Sequence, residues 1–172
     1  GGAGKTPVAL AVSALLGTRE VRFLTRGYGG REKGPVLVDL AGHDAAAVGD
    51  EALLLAQARP TWVARDRLAG ARSAAATGAE IIVMDDGFQN ARLEKDLSIL
   101  VVDGGAGFGN GHTIPAGPLR EPVDSGLARA DAVVVLGRDT AGVARRVGAP
   151  YRARDEDRRF RFRPARRPDC VA

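Results

Sequence analysis

Apolar residues along the chain occur in two alternating arrangements, short continuous runs and longer stretches with helical spacing. The continuous runs are rich in Val, Ile and Leu, which is typical of strands buried on both faces of a parallel sheet. They predict strands at residues 20–27, 34–40, 61–65, 80–87, 97–104 and 130–137. The helical spacing predicts helices at residues 5–17, 49–59, 66–78 and 140–148. This alternation predicts a three-layer α/β fold with a mostly parallel sheet, whose functional groups gather at the carboxyl ends of the strands.

The net charge of the chain lies almost entirely near its end. Residues 151–172 contain eight arginines and four acidic residues, whereas residues 1–150 contain 17 basic and 17 acidic side chains. We therefore expect a folded domain at 1–150 and an arginine-rich segment at 151–172. Apart from Phe160 and Phe162 the segment has no aromatic residues to stack on bases, so we expect a solvated segment and no nucleic-acid partner. A nucleic-acid-binding module is the alternative, and it predicts binding that weakens steeply with salt.

Composition excludes several other classes of protein. Hydrophobic residues make up 45% of the chain, yet no run of 18 apolar residues and no signal-peptide pattern occurs. A single cysteine, Cys170, excludes an internal disulfide and indicates a reducing compartment. No cysteine pair or H-x-x-x-H spacing indicates zinc, and no serine has a G-x-S-x-G setting. The chain itself is expected to be soluble and cytoplasmic.

The first residues, GGAGKTP, match the second half of the phosphate-binding signature G-x-x-x-x-G-K-[ST] and lead directly into a predicted helix. Lys5 would reach the β- and γ-phosphates of a nucleotide, and the Thr6 hydroxyl would bind Mg²⁺. The loop amides that would surround the phosphates belong to Gly1, Gly2, Ala3 and Gly4. For the motif alone, the alternative is an ordinary glycine-rich turn before a helix.

A metal held by such a loop needs an acidic ligand at the end of a buried strand. Asp85 and Asp86 follow the apolar run at 81–84 and fulfil that requirement. Two adjacent carboxylates repel each other unless a cation is near, which favours a metal site over a simple turn. The two motifs together predict a protein that binds a nucleotide with Mg²⁺.

Longer segments resemble the tetraacyldisaccharide 4'-kinase family, whose members phosphorylate the lipid A precursor. They are TRGYGG at 25–30, GDEALLLA at 49–56, DDGFQNARLEKDLSILVVD at 85–103 and GFGNGHTIPAGPLREP at 107–122. With the phosphate-binding loop they follow the family's order and span most of residues 1–137. The resemblance implies that ATP phosphorylates the 4'-hydroxyl of an acylated glucosamine disaccharide 1-phosphate, with Mg²⁺ as cofactor. It also makes 1–150 the nucleotide-binding domain of a kinase.

The resemblance implies roles for three residues near the lipid acceptor. Asp50 is expected to accept the proton of the sugar hydroxyl, although an acid at a helix start also complements the helix dipole. Glu51 and Tyr28 are expected to face the substrate. Neither His43 nor His112 matches the histidine that partners the aspartate in the family, so neither receives that role.

The resemblance implies three further roles near the nucleotide. Arg120 offers a forked cation that would stabilise the charge of the transferred phosphate. Glu121 is expected to join the Mg²⁺ shell, directly or through water. Gln89 is expected to lie near the nucleotide. Arg65 and Arg67 are expected to be solvated at a helix start, and contact with anions is the alternative.

The resemblance finally implies a location and an incomplete chain. Family members are expected at the cytoplasmic face of the bacterial inner membrane, where an N-terminal helix attaches them to the membrane surface. That helix and a C-terminal lobe are expected to lie outside this chain, beyond Gly1 and beyond 151–172. The alternative function is a P-loop switch ATPase or GTPase of the partner-delivery or metallochaperone type. Such a protein shares the loop but does not require the stretch GNG…PAGPLRE.

Overall fold

The computed structural model describes residues 4–148 and the backbone of residues 151–153. The chain divides into two compact units. The first unit comprises Lys5–Glu94, and the second comprises Lys95–Ala172 together with Gly1–Gly4. Gly1, Gly2 and Ala3 of the predicted phosphate loop lie outside the described residues, as does most of the arginine-rich segment.

The first unit is a four-stranded sheet with helices. Its strands are β1 (Val21–Thr25), β2 (Val36–Leu37), β3 (Thr61–Val63) and β4 (Ile81–Met84). Its helices are α1 (Lys5–Leu15), α2 (Ala45–Val48), α3 (Asp50–Ala56) and α4 (Arg67–Ala76). The strand order is β2-β3-β1-β4, in which β1 is parallel to both its neighbours and β2 is antiparallel to β3.

The central strand β1 shows that helices cover both faces of this sheet. Successive side chains of a strand point to opposite faces, so Phe23 and Leu24 report the two sides. Phe23 packs with Ala9 of α1 and Leu55 of α3. Leu24 lies against Gly70 of α4 on the other face. Both of these β1 side chains are fully buried, and the predicted three-layer α/β architecture is confirmed.

The second unit contains a three-stranded parallel sheet among the described residues. Its elements are β5 (Ile99–Asp103), α5 (Val123–Ala128), β6 (Ala132–Leu136), α6 (Val143–Val147) and β7 (Tyr151–Ala153). The strand order is β5-β6-β7, with β6 in the middle. Its core consists of buried valines from β5, β6 and α6, namely Val102, Val133, Val135 and Val143.

Each predicted strand and helix is present with shorter bounds, and three elements were not predicted. Helix α2 has only four residues, too few for helical spacing to appear. Helix α5, in the Pro/Gly-rich region, has six. Strand β7 lies at the start of the arginine-rich segment and pairs with β6, although its sequence has no apolar run. The domain boundary at residue 150 stays a prediction. None of the helices described is long and apolar enough to cross a membrane.

Candidate functional site

The site is built around the start of α1 and the end of β4, both in the first unit. Gly4 has a φ of +70°, a backbone conformation that suits glycine and turns the chain into α1. The Thr6 hydroxyl, in the first turn of α1, donates a 2.6 Å hydrogen bond to Asp85 Oδ2. Thr6 is 7% exposed and Asp85 is 3% exposed, so water competes little for this bond. The two predicted halves of the metal site therefore meet in the structure.

Lys5 and Asp86 form the more exposed part of the same site. The Lys5 ammonium lies 3.7 Å from Asp86 Oδ1, and about a third of each side chain is exposed. Asp86 has a φ of +53°, which is uncommon for a residue with a side chain. Such conformations cluster at functional sites, where the surrounding structure holds them in place. Asp86 therefore fits the predicted binding turn after β4.

Asp50 and Glu51 begin α3, directly after Gly49, and belong to the same group of charges. The Glu51 N–H donates a 3.0 Å bond to Asp50 Oδ1. Partial desolvation raises the pKa of the Glu51 carboxyl above its ordinary value, and the charges of Asp85, Asp50 and Asp86 raise it further. The charge of Lys5 lowers it.

Arg67, which was expected to be solvated, is buried at the start of α4, so that expectation was wrong. Arg65 is exposed as predicted, but Arg67 is only 5% exposed and its Nη1 donates a 2.8 Å bond to the Ala64 carbonyl oxygen. Burial lowers the pKa of the Arg67 guanidinium, and the charge of Arg26 lowers it further. Asp86 and Asp85 raise it, because opposite charges nearby favour the charged form. Solvation at the start of α4 therefore does not account for Arg67.

The remaining predicted residues of the first unit are exposed. Tyr28, in the loop after β1, is 81% exposed. Its carbonyl oxygen lies close to Gly49, just before Asp50. Gln89 is exposed in the turn that follows Asp86. Their roles stay predictions. His43 lies in a surface turn, where its Nδ1 accepts a 2.9 Å bond from the Asp39 N–H.

Arg120 and Glu121 belong to the second unit, just before α5. Glu121 Oε2 lies 2.5 Å from Nη2 of Arg129, the residue that follows α5. His112 lies in the same unit, and its N–H donates a 3.1 Å bond to Asn110 Oδ1. The roles of Arg120 and Glu121 at the nucleotide stay predictions.

The oxygen donors at the start of α1 and the end of β4 suit Mg²⁺. They suit less well a metal that takes all of its ligands from the protein. Within the described residues, no group of three or more His, Cys, Asp and Glu side chains could hold a metal ion. Magnesium is usually bound by one or two carboxylates together with substrate phosphates and waters. The hydroxyl of Thr6 and the carboxylate of Asp85 match that pattern, since both are hard oxygen donors.

Three features of the site define the protein as a member of the P-loop class. They are the glycine that turns the chain into α1, the Lys-Thr start of that helix and the buried acid after a parallel strand. The chain matches the family model described as tetraacyldisaccharide-1-P 4'-kinase over residues 1–167. It therefore belongs to the tetraacyldisaccharide-1-P 4'-kinase family, as the sequence motifs predicted.

Individual relatives agree with this assignment. The chain is 63% identical over 146 residues to the tetraacyldisaccharide 4'-kinase of Paramagnetospirillum magneticum, which is 84% of this chain and 45% of that protein. The chain is also 63% identical over 146 residues to the tetraacyldisaccharide 4'-kinase of Rhodospirillum centenum, and this match covers 84% of this chain and 43% of that protein. A similar crystal structure is described as the "apo" form of LpxK from Aquifex aeolicus in complex with ATP. Its sequence is 34% identical to this chain, and the two structures superpose with a TM-score of 0.68. That match covers 78% of this chain and 44% of the other, so the chain spans less than half the length of these relatives.

Proposed function

We propose that this protein transfers the γ-phosphate of ATP to the 4'-hydroxyl of tetraacyldisaccharide 1-phosphate, in a reaction that depends on Mg²⁺. The family and the names of its relatives support the reaction, and the ATP complex of the similar structure supports the nucleotide. The observation that carries the proposal for this chain is the buried bond between Thr6 and Asp85, which lies beside Lys5 at the start of α1.

The phosphates of ATP are bound in this proposal by the start of α1. Backbone N–H groups at the N-terminus of a helix are free to bind anions, and Lys5 adds a positive charge there. Thr6, Asp85 and Asp86 would hold Mg²⁺, and the resemblance adds Glu121 to its shell. When bound, Mg²⁺ neutralises charge on the β- and γ-phosphate oxygens. Gln89 is assigned to the nucleotide on the resemblance alone.

The acceptor is activated in this proposal by Asp50. Its carboxylate orients the 4'-hydroxyl and takes its proton while the hydroxyl oxygen bonds to the γ-phosphorus. The bond from that phosphorus to the β–γ bridging oxygen breaks, so that ADP leaves and the lipid carries a new 4'-phosphate. Arg120 stabilises negative charge on the transferred group. Tyr28 and Glu51 contact the lipid substrate.

The location of the reaction follows from its substrate. An acylated disaccharide is held in a membrane by its acyl chains, so the kinase meets it at a membrane surface. ATP is a cytoplasmic nucleotide, which places the reaction at the cytoplasmic face of the inner membrane. The proposed partners are this lipid and the membrane surface, without nucleic acid.

The proposal is tested by measuring lipid phosphorylation and ATP hydrolysis together. The protein expressed from its native gene is incubated with labelled ATP, Mg²⁺ and detergent-dispersed disaccharide lipid. We expect Asp50→Asn to lower lipid phosphorylation by about 100-fold or more, since general base catalysis contributes about 10²–10⁴-fold. Asp39→Asn is the matched control, because Asp39 is an acid of a surface turn in the same unit. Hydrolysis of ATP without labelled lipid, unchanged in Asp50→Asn, would contradict the proposal and favour the switch ATPase.

A further inference from the structure

The loop after β1 lies with its backbone directly on the backbone where α2 ends and α3 begins. We call residues 27–34 the glycine loop and residues 46–50 the helix junction. Two N–H groups of the glycine loop donate hydrogen bonds to carbonyl oxygens of the helix junction, from Arg31 to Ala46 at 3.0 Å and from Glu32 to Ala47 at 2.9 Å. The two segments are therefore joined without any side chain between them.

Gly30 leaves no room for a side chain between the glycine loop and the helix junction. A Cβ added there would lie 2.6 Å from the Ala47 carbonyl oxygen, 2.7 Å from the Val48 carbonyl carbon and 2.8 Å from the Gly49 nitrogen. These distances are too short for non-bonded atoms. All three neighbours are backbone atoms, which cannot rotate away as the end of a side chain can. A side chain at position 30 would therefore push the helix junction away from the loop.

The opposite side of this contact is also a glycine, directly before Asp50. Gly49 ends α2 and precedes Asp50, the first residue of α3. Gly49 is buried with a φ of +89°, and a Cβ there would lie 2.5 Å from the Tyr28 carbonyl oxygen. Asp50 itself is exposed. The contact therefore fixes where α3 begins and leaves the first carboxylate of the helix accessible to a ligand.

The glycine loop begins at the edge of the sheet that carries Asp85. Gly27 comes two residues after the end of β1. Near that end, the Leu24 carbonyl oxygen accepts a 3.1 Å hydrogen bond from the Asp85 N–H. Backbone contacts and covalent bonds therefore connect Asp85 with Asp50, through β1, the glycine loop and the helix junction. All of these segments belong to the first unit.

We propose that Gly30 is a positioning residue for Asp50, and that the close backbone contact it permits sets the position of the Asp50 carboxylate relative to Asp85. The proposal rests on the proposed function, in which Asp50 takes the proton of the acceptor hydroxyl. In Gly30→Ala, the 2.6 Å approach would have to lengthen by about 0.4–0.8 Å to reach 3.0–3.4 Å. Catalytic groups need to be held within about 0.5 Å of the productive geometry. Gly30 therefore affects the reaction through Asp50 and not through contact with either substrate.

The experiment compares Gly30→Ala, Asp50→Asn and the double variant in the protein expressed from its native gene. Gly29→Ala is the matched control, because Gly29 lies in the same loop and its φ of +81° also disfavours alanine, yet a Cβ there would meet open space. The measured quantities are kcat, the KM for lipid and the equilibrium binding of a fluorescent ATP analogue with Mg²⁺. Thermal unfolding gives the folded fraction, and each rate is expressed per folded molecule.

We expect Gly30→Ala to lower kcat about 10–100-fold, since a misplacement of about 1 Å can cost about 100-fold in rate. Binding of the ATP analogue should be unchanged, because Lys5, Thr6 and Asp85 lie outside both the loop and the junction. Gly29→Ala should keep the kcat of the original protein. The double variant should be no slower than Asp50→Asn alone, since the group that Gly30 positions is then already inactive.

A second pair of variants decides the question if Gly30→Ala does not fold. Glu32→Pro removes the N–H that binds the Ala47 carbonyl oxygen, whereas Glu32→Ala keeps it. We expect kcat to fall in Glu32→Pro and to stay unchanged in Glu32→Ala.

Four outcomes would overturn the proposal. If Asp50→Asn lowers kcat while Gly30→Ala, or Glu32→Pro in its place, does not, the loop does not position Asp50, although the kinase reaction stands. If the effects multiply in the double variant, Gly30 acts at another place. If Gly29→Ala is as slow as Gly30→Ala, the close contact is not the cause. If Asp50→Asn phosphorylates lipid as fast as the original protein, the proposed role of Asp50 fails and the positioning role fails with it.

Discussion

The hydrogen bond between the Thr6 hydroxyl and Asp85 should stabilise the first unit even without nucleotide and metal. A hydrogen bond to a charged group contributes about 1.5–3 kcal/mol to the free energy of unfolding. Both side chains are buried, so we expect a contribution in the upper part of this range. Thr6→Val keeps the shape of the side chain and removes the donor. Asp85→Ala removes the acceptor.

A double-mutant cycle separates the bond from the other effects of each substitution. Unfolding in urea is measured for the original protein, Thr6→Val, Asp85→Ala and the double variant, with no nucleotide or Mg²⁺ present. Trp62 of β3, the single tryptophan of the chain, lies in the same unit and reports its unfolding by fluorescence. We expect a coupling energy of about 1.5 kcal/mol or more between the two positions.

The control cycle uses Arg92→Gln and Asp66→Asn, an exposed pair of the first unit whose coupling should be close to zero. A Thr6–Asp85 coupling below about 0.5 kcal/mol lies within the range of independent sites. That result would refute the reasoning, because it would mean that the buried bond does not stabilise the protein and that its two partners are arranged for ligand binding alone.

Three further predictions concern the same unit. Gly34→Ala should lower the free energy of unfolding by more than about 2 kcal/mol, because φ is +67° and a Cβ would overlap the Val63 carbonyl oxygen. Gly78→Ala is the control. Its φ is +84° but a Cβ there would meet open space, so it should lower the free energy of unfolding by only about 1 kcal/mol in the same urea titration. Bonds from two backbone N–H groups of α4 lower the pKa of Asp66, so its stabilising effect is present at neutral pH and lost as pH falls through that lowered pKa. Asp66→Asn should therefore be less stable than the original protein at pH 7 and equal at strongly acidic pH, whereas a difference independent of pH would contradict this. Arg67→Met should lower the free energy of unfolding by about 1–3 kcal/mol in the same urea titration, because the Ala64 carbonyl oxygen loses its buried donor; unchanged stability would contradict this.

The contact between Thr6 and Asp85 could be predicted from the sequence because it depends on topology more than on packing. A lysine and threonine at a helix start indicate a phosphate-binding turn, and an acid after a continuous apolar strand lies at the carboxyl edge of the sheet. In a parallel sheet these two positions meet at one edge, whatever the details of the core. The helical spacing of residues 49–59 likewise predicted that Asp50 lies at the start of a helix, which the structure confirms.

The burial of Arg67 could not be predicted, because its local sequence has two interpretations. An arginine after a helix-capping aspartate is usually solvated, and Asp66 does cap α4 by accepting bonds from Leu68 and Ala69. The cap directs α4 from the carboxyl edge of β3, and the first side chain of the helix donates to the Ala64 carbonyl oxygen. Whether that side chain is buried depends on packing against elements that are distant in sequence.

The charges of the first unit imply that the metal and the nucleotide depend on each other. The carboxylates of Asp85, Asp50 and Asp86 add to the desolvation that raises the pKa of Glu51. These four carboxylates outnumber the nearby cations, Lys5 and Arg67. Without a divalent cation, a nucleotide triphosphate would bring further negative charge to a region that already has an excess. The proposed kinase therefore requires Mg²⁺ as a countercharge for its own acids as well as for the phosphates, and nucleotide affinity should fall steeply when the metal is removed.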